Sequence, residues 1–244
     1  YERGGQLNAW TWLDATCYWE KLPAGHLRFA LDAEADRLAH MKLDFLELEP
    51  EREVVKSERL LRTENDPSGA ASERLHRLAF TRHPYGWPTV GWMHDLNRIT
   101  VEEAEAYHRA HYGPGSAFVI AVGDFDLAEA EEALSETFGS LPAGPDRAEL
   151  APGTRPTEPT PTGPRKGRVE KTVSAPLVQI AWPSPSGADE EFAALEVAHQ
   201  LLVRGKSSRI QRALVFGDEP VLTSLSASLA PMRDPYLHVW EMLV

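Results

Sequence analysis

The sequence is poor in cysteine and in basic residues, and each shortage excludes a class of protein. Its 244 residues include one cysteine, Cys17, which rules out an internal disulfide and a cysteine-based zinc site. The 25 lysines and arginines are outnumbered by 37 aspartates and glutamates, so the formal net charge is −12. A general nucleic-acid binder needs a basic face to attract phosphates, so we do not expect that function.

Long apolar runs and the common nucleotide or nucleophile motifs are also missing. No apolar run approaches the ~18 residues that a membrane-spanning helix needs, so no membrane span is expected in this chain. The sequence contains no nucleophile elbow, no phosphate-binding loop and no dinucleotide-binding glycine fingerprint. Apolar residues nevertheless make up 42% of the chain, which is enough to form a folded core.

Proline and glycine are concentrated in one segment, residues 142–167. They account for 11 of its 26 residues, a composition typical of a linker. We therefore predict one domain over 1–141 and another over 168–244. The chain begins with Tyr1 and stops inside a predicted strand, and no signal peptide is apparent, so we interpret it as a fragment of a longer protein.

Hydrophobic periodicity and turn residues predict both helices and strands. The predicted helices cover about 25–43, 50–63, 71–80, 100–111, 126–139 and 192–205, and the predicted strands cover 6–18 as a pair, 117–122, 168–173, 177–182, 221–229 and 236–244. Thr100 and Glu103 form a capping box at the start of the fourth helix. In the predicted strand 221–229, Leu225, Ala227 and Leu229 lie on one face and three serines lie on the other. Hairpin-like strands mixed with helices predict an α+β fold with mainly antiparallel sheets.

Glu51 and Glu58 lie seven residues apart on a predicted helix. That spacing is about two turns, so both side chains point the same way. Two like charges on one face are mildly unfavourable, and a bound cation would relieve them, since carboxylate oxygen is a normal zinc ligand. Spacing alone favours the alternative, a solvated acidic face.

A second candidate metal site consists of His108 and His111 with Glu105 one turn earlier. The three residues share one predicted helix, and imidazole and carboxylate both bind zinc. The alternative is a pair of surface histidines near the end of a helix, where the helix dipole favours them.

Several short motifs occur in a fixed order along the chain. They are Gly4-Gly5-Gln6-Leu7-Asn8-Ala9-Trp10-Thr11, Glu51-x-x-Val54-x-x-x-Glu58-Arg59, Glu64-Asn65-x-Pro67, His83-Pro84-Tyr85-Gly86-Trp87-Pro88, Tyr112-Gly113-Pro114, Gly205-Lys206-Ser207-Ser208-Arg209 and Leu225-Ser226-Ala227-Ser228. Each motif is weak alone, but the ordered series resembles the pitrilysin/insulinase family of zinc metallopeptidases. The resemblance is greatest to the bacterial short two-domain branch related to mitochondrial processing peptidase.

This resemblance implies two homologous α/β-roll domains, each a mainly antiparallel sheet covered by helices and each truncated here. Residues 1–141 would be the C-terminal part of the metal-binding domain, 142–167 the interdomain linker, and 168–244 the N-terminal part of the second domain. The protein would reside in the cytoplasm or periplasm of a bacterium, and the sequence leaves that choice open.

The resemblance also assigns roles to the two glutamates. Glu58 matches the family's third zinc ligand, and Glu51 matches the supporting carboxylate. The two histidine ligands and the general base belong to an H-x-x-E-H motif expected ahead of residue 1, outside this chain. The implied reaction is zinc-dependent peptide hydrolysis, and the fragment itself is expected to be inactive.

Residues 6–11 resemble the family's substrate-binding edge strand. An extended peptide pairs with the main chain of that strand, and Asn8 and Ala9 are the substrate-binding positions carried over. The alternative is an ordinary hairpin strand that packs within a sheet.

Active members of the family use an arginine and a tyrosine from the second domain to stabilise the oxyanion. Here Val215 and Thr223 stand at those positions, and residues 216–222 contain neither residue type. We therefore predict a heterodimer in which a homologous subunit supplies the Arg/Tyr pair. Two alternatives remain: a non-catalytic structural or assembly subunit, and a homodimeric or single-chain peptidase.

Overall fold

The computed structural model describes residues 4–144 and 156–244, and it shows helices combined with antiparallel sheets. In chain order the helices are α1 (Leu27–His40), α2 (Phe45–Arg59), α3 (Pro67–Ala79), α4 (Met93–Leu96), α5 (Val101–His111), α6 (Leu127–Thr137), α7 (Glu190–Val203) and α8 (Arg209–Leu214). The strands are β1 (Gln6–Thr11), β2 (Thr16–Lys21), β3 (Leu177–Ser184), β4 (Ser224–Leu229) and β5 (Tyr236–Leu243). The predicted α+β class is confirmed.

The chain divides into two compact units. The first takes its residues from Tyr1–Lys56 and Met93–Arg155, and the second from Ser57–Trp92 and Pro156–Val244. The domain boundaries predicted from the sequence remain a prediction, and residues 145–155 of the predicted linker lie outside the described residues. None of the helices within the described ranges has the length and apolar character that a membrane crossing requires.

In the first unit, β1 and β2 form an antiparallel hairpin in which Asn8 pairs with Trp19 and Ala9 with Tyr18. The Tyr18 hydroxyl lies 3.0 Å from that of Tyr112, just beyond α5. Helix α1 packs against α6. Thr100 and Glu103 form the predicted capping box of α5, because each side chain bonds to the other's backbone N–H.

In the second unit, the strand order is β3-β5-β4, and both pairings are antiparallel. Along β4 the buried or half-buried Leu225, Ala227 and Leu229 alternate with exposed serines, as the sequence predicts. Val203 of α7 packs with Leu225 and with Met242 of β5 to form a small core. This core joins helix α7 to one face of the sheet.

Two predicted strands, 117–122 and 168–173, are wrong because both segments are irregular here. In the first segment, Phe118, Ile120 and Val122 are largely exposed. A strand requires a neighbour for its backbone hydrogen bonds, and no described strand pairs with either segment. The apolar residues of 117–122 and the β-branched residues of 168–173 are therefore not sufficient to form strands.

Helix α2 starts earlier than predicted, at Phe45 rather than near Pro50. Asp44 explains the earlier start, because its carboxylate accepts hydrogen bonds from the N–H groups of Leu46 and Glu47 at 2.9 and 3.1 Å. These bonds satisfy two of the unpaired donors at the helix start.

Glu158, in the described part of the predicted linker, bonds to residues 81–83, which follow α3 in the second unit. Its carboxylate accepts hydrogen bonds from the backbone N–H groups of Thr81 and Arg82 at 2.8 Å and of His83 at 3.2 Å, and from the Thr81 hydroxyl at 2.8 Å. Desolvation acts to raise the pKa of Glu158, but these hydrogen bonds outweigh it and lower the pKa to about 2.

We expect Glu158→Gln to lower the free energy of unfolding by about 1–3 kcal/mol at pH 7, because the hydrogen bonds then end on a neutral group. A carboxyl whose pKa is lower in the folded state stabilises the fold above its ordinary pKa of 4.5, and the effect fades as the pH falls toward 2. Urea denaturation at pH 7 and pH 4 should show the difference from wild type shrinking at pH 4. Glu170→Gln is the matched control, since Glu170 is exposed and forms an exposed ion pair with Arg168. Equal losses in both variants would contradict the assignment.

Candidate metal centre and substrate strand

Helix α2 carries Glu51 and Glu58 two turns apart. The Glu58 side chain is 40% exposed, and its Oε1 lies 3.0 Å from an amino group of the more exposed Arg62. Glu51 is exposed. An exposed ion pair of this kind contributes at most about 1 kcal/mol, so it does not prevent Glu58 from taking another partner. The assignment of both residues to a metal centre remains a prediction.

The chain leaves α2 through a π-helical turn, Leu60–Glu64, directly after Glu58 and Arg59. The turn is closed by a hydrogen bond from the Asn65 N–H to the Leu60 carbonyl at 2.7 Å, which spans five residues instead of the usual four. Single π-helical turns are rare and occur often at functional sites, because they re-aim neighbouring side chains. The turn thus marks the end of α2 as a candidate functional region.

Arg59 anchors this end of α2. It is 6% exposed and forms a two-pronged contact with the Glu73 carboxylate, at 3.0 and 3.4 Å. It also donates to the Gly91 carbonyl at 2.9 Å, and its guanidinium lies 5.5 Å from the centre of the Trp92 ring. A buried arginine held by these three groups fixes the backbone next to Glu58.

Sequence reasoning missed this anchor, although a signal was present. Arg52 and Arg59 repeat the seven-residue spacing of Glu51 and Glu58 on the neighbouring side of the helix. Arg52 is half-buried, and it donates to the carbonyls of Leu96 and Ile99 in the first unit. A second pair of charged residues at the same spacing indicates that a neighbouring side of α2 also contacts the rest of the protein, here through arginine side chains.

The donor chemistry of Glu58 suits zinc as one ligand. Its carboxylate is accessible, and binding a metal would break only its ion pair with the exposed Arg62. Carboxylate oxygen is an ordinary zinc ligand. Within residues 4–144 and 156–244 no group of three or more His, Cys, Asp or Glu side chains is placed to hold a metal ion. The assignment of Glu58 as one ligand of a larger set remains a prediction.

The second candidate metal site is not assembled. The His108 ring stacks on that of Tyr112 at 5.0 Å, and the His111 ring lies 4.3 Å from that of Tyr107. Glu105 forms an ion pair with Arg109 instead. Each of the three residues has an aromatic or ionic partner on its own helix or just beyond it.

Strand β1 is exposed along its whole length, and among the described residues it pairs with β2 alone. Asn8 shares one face of the hairpin with Trp10, Cys17 and Trp19, and its side-chain oxygen accepts a hydrogen bond from the Ala9 N–H at 2.8 Å. An unpaired strand edge is a template for an added strand. The substrate-binding role of Asn8 and Ala9 remains a prediction.

Val215 and Thr223 both belong to the second unit. Val215 ends α8 and packs against the core formed by Val203, Leu225 and Met242. Thr223 is exposed and donates its backbone N–H to the Leu243 carbonyl at 2.8 Å. Neither side chain offers the charged or phenolic donor that an oxyanion requires.

Two family models match this sequence. Residues 2–91 match the model described as insulinase (peptidase family M16), and residues 98–237 match the model described as the peptidase M16 inactive domain. Together they span most of the chain, including α2 and the strands β1 to β4.

Named relatives are similar over most of the chain. Zinc protease PqqE of Helicobacter pylori is 33% identical over 213 residues, which cover 87% of this chain and 48% of that protein. A protein of Arabidopsis thaliana that bears the name "Probable mitochondrial-processing peptidase subunit beta" is 26% identical over 199 residues, which cover 82% of this chain and 37% of that protein. The chain thus spans about half the length of the curated relatives, or less.

The fold is similar to that of a solved protease from Helicobacter pylori. The TM-score is 0.94 at 29% identity, and the match covers 99% of this chain and 58% of that one.

Proposed function

We propose that this chain, which belongs to the insulinase family of peptidases (family M16), forms the zinc-bearing half of a split peptidase site. The observation that carries the proposal is Glu58 at the end of α2. It is a half-exposed carboxylate, it is followed by a π-helical turn, and the adjacent Arg59 fixes its backbone. Such an arrangement presents a carboxylate oxygen at a defined position with little reorganisation.

In this proposal the residues of the chain have separate roles. Glu58 contributes one ligand, and Glu51 orients the ligand set from the same side of α2. When bound, zinc supplies the Lewis acidity that activates the attacking water. The complete ligand set also requires two histidines, and the general base comes from the H-x-x-E-H motif expected ahead of this chain.

Strand β1 would hold the substrate. An extended peptide that pairs with its free edge gains main-chain hydrogen bonds whatever its sequence, which suits a peptidase. In the free strand, the Asn8 side-chain oxygen accepts a hydrogen bond from the Ala9 N–H. A peptide carbonyl that binds to this N–H must therefore displace the Asn8 side chain. This exchange gives Asn8 a direct part in substrate binding.

The partner in this proposal is a homologous subunit that carries arginine and tyrosine where this chain has Val215 and Thr223. We expect the protein, at the full length of its relatives, to bind one zinc ion but to cleave a test peptide slowly by itself. Adding the partner should raise kcat/KM at least ~10-fold, since one oxyanion donor alone contributes about 100-fold or more to kcat. Metal analysis and peptide cleavage with and without the partner measure both quantities. Full turnover by the purified protein alone would refute the split site.

A non-catalytic structural or assembly subunit is the second candidate. Two observations favour it: the match to the family's inactive-domain model over residues 98–237, and the core packing of Val215. It predicts no zinc in the purified full-length protein and no gain in cleavage that depends on Glu58. Zinc content therefore separates the two functions before any substrate is known.

A further inference from the structure

Two histidines in the second unit share a hydrogen bond inside the protein. His199 of α7 is 4% exposed and His238 of β5 is 7% exposed. The Nδ1 of His199 lies 2.9 Å from the Nε2 of His238, and the indole Nε1 of Trp240 lies 2.9 Å from that same nitrogen. One nitrogen of His238 thus has two close hydrogen-bonding neighbours.

The partners determine where the protons are. An indole nitrogen can only donate, so Nε2 of His238 must be an unprotonated acceptor. His199 must then donate from its Nδ1, which leaves His238 protonated on Nδ1 alone. A proton added to Nε2 of His238 would place three N–H groups against one another and remove the acceptor on which two hydrogen bonds depend.

The pair lies where helix α7 meets the sheet. His199 is one turn before Val203, which packs with Leu225 and Met242. His238, Trp240 and Met242 alternate along one face of β5. Breaking the hydrogen bonds of His238 would therefore act directly beside the core that holds α7 on the sheet.

We propose that His199 and His238 form a pH-sensitive switch that accepts one proton and releases helix α7 from the sheet when it must accept a second. The first proton goes to the free Nε2 of His199 and leaves the hydrogen bond between the rings intact. The second has only Nε2 of His238 available, so the folded arrangement excludes it.

The surroundings of the pair agree with this order of protonation. On the flanking strands, Trp182 of β3 and Leu229 of β4 lie opposite His238 and carry no charge. Just beyond α7, Arg204 opposes a charge on His199, and Glu196 of α7 favours that charge less strongly. Burial lowers the pKa of both histidines, and for His238 the neighbouring His199 lowers it further. His238 thus has no described anionic neighbour that would stabilise its charged form.

The expected effect follows from the excluded proton. In the unfolded chain both imidazoles titrate near pH 6.5. If the folded chain excludes one of the two protons down to pH 5, the unfolding equilibrium constant rises about 20-fold between pH 7 and pH 5 on that account. His76, whose pKa burial also lowers, adds a background that every variant below shares.

The test compares urea unfolding of the purified 244-residue chain at pH 7 and pH 5 with that of His238→Gln. A glutamine can place an amide oxygen near the position of Nε2, so it keeps an acceptor for Trp240 and cannot be protonated. For each protein, the test measures how much the unfolding equilibrium constant rises when the pH is lowered from 7 to 5. We expect this rise to be about 20-fold larger in wild type than in His238→Gln. His94→Gln, which changes an exposed histidine, should behave as wild type. Equal acid sensitivity in wild type and His238→Gln would overturn the switch.

A second measurement needs no variant. NMR titration of the imidazole nitrogens of the folded chain should show Nε2 of His238 still unprotonated below pH 6.5, where an unperturbed imidazole is mostly protonated. Hydrogen exchange corrected for intrinsic rates should speed up first in α7. Protonation of His238 near pH 6.5 in a chain that stays folded would also overturn the proposal.

Discussion

Glu58→Gln, in the protein at the full length of its relatives, should abolish both zinc binding and peptide cleavage. Glutamine keeps the shape of the side chain but has no anionic oxygen to offer the metal. Loss of a supporting outer-shell partner typically costs 10–100-fold in metal affinity or activity. Loss of a ligand should therefore reduce kcat/KM by more than ~100-fold. Metal analysis by mass spectrometry and peptide cleavage on the same preparation measure the two effects.

Stability separates this result from simple unfolding. The ion pair of Glu58 with Arg62 is exposed, so its loss should change the free energy of unfolding by at most about 1 kcal/mol. Glu53→Gln removes a carboxylate from the same helix and should leave zinc content unchanged, because Glu53 projects elsewhere and pairs with Lys56. Glu51→Gln should fall between the two, at about 10–100-fold. Unchanged zinc stoichiometry in Glu58→Gln would contradict the assignment of Glu58 as a zinc ligand, whereas absence of zinc from the unmodified protein would favour the non-catalytic subunit.

The elements that the sequence predicted correctly are those with local causes. The capping box of Thr100 and Glu103 lies within one turn, and the alternation along β4 reflects the two faces of a single strand. Both signals depend on residues only a few positions apart. Residues 117–122 show the limit, because a strand exists only when another strand supplies its hydrogen bonds.

In the candidate site, too, the sequence predicts what depends on neighbouring residues and misses what depends on distant ones. Helical spacing predicts that Glu51 and Glu58 share one side of α2, since both lie on one element. It does not predict that Arg59 is buried, because the partners Glu73 and Gly91 lie 14 and 32 residues away along the chain. Likewise, the contact between His199 and His238 spans 39 residues and depends on the docking of α7. Such contacts are properties of packing, and single-sequence patterns do not carry them.

Arg59→Met should have the largest effect on stability of any single substitution proposed for this chain. Methionine fills a similar volume, but it leaves the half-buried Glu73 carboxylate and the Gly91 carbonyl without their donor. Removing one partner of a buried ion pair typically costs about 3–5 kcal/mol, because the other charge stays buried and unpaired. Urea denaturation of the 244-residue chain should show a loss of this size. Arg62→Met, at an exposed position in the same segment, should cost less than about 1 kcal/mol.

Two further variants identify the cause of the loss. Arg59→Lys keeps the positive charge but not the two-pronged contact or the stacking on Trp92, so it should recover only part of the loss. Arg59→Met combined with Glu73→Leu removes both charges, and it should be more stable than Arg59→Met alone if the unpaired carboxylate dominates. If the double variant is no more stable, the anchor acts through packing and the carbonyl of Gly91. In either case the end of α2 loosens beside Glu58, so Arg59→Met in the full-length protein should weaken zinc binding although no ligand has changed.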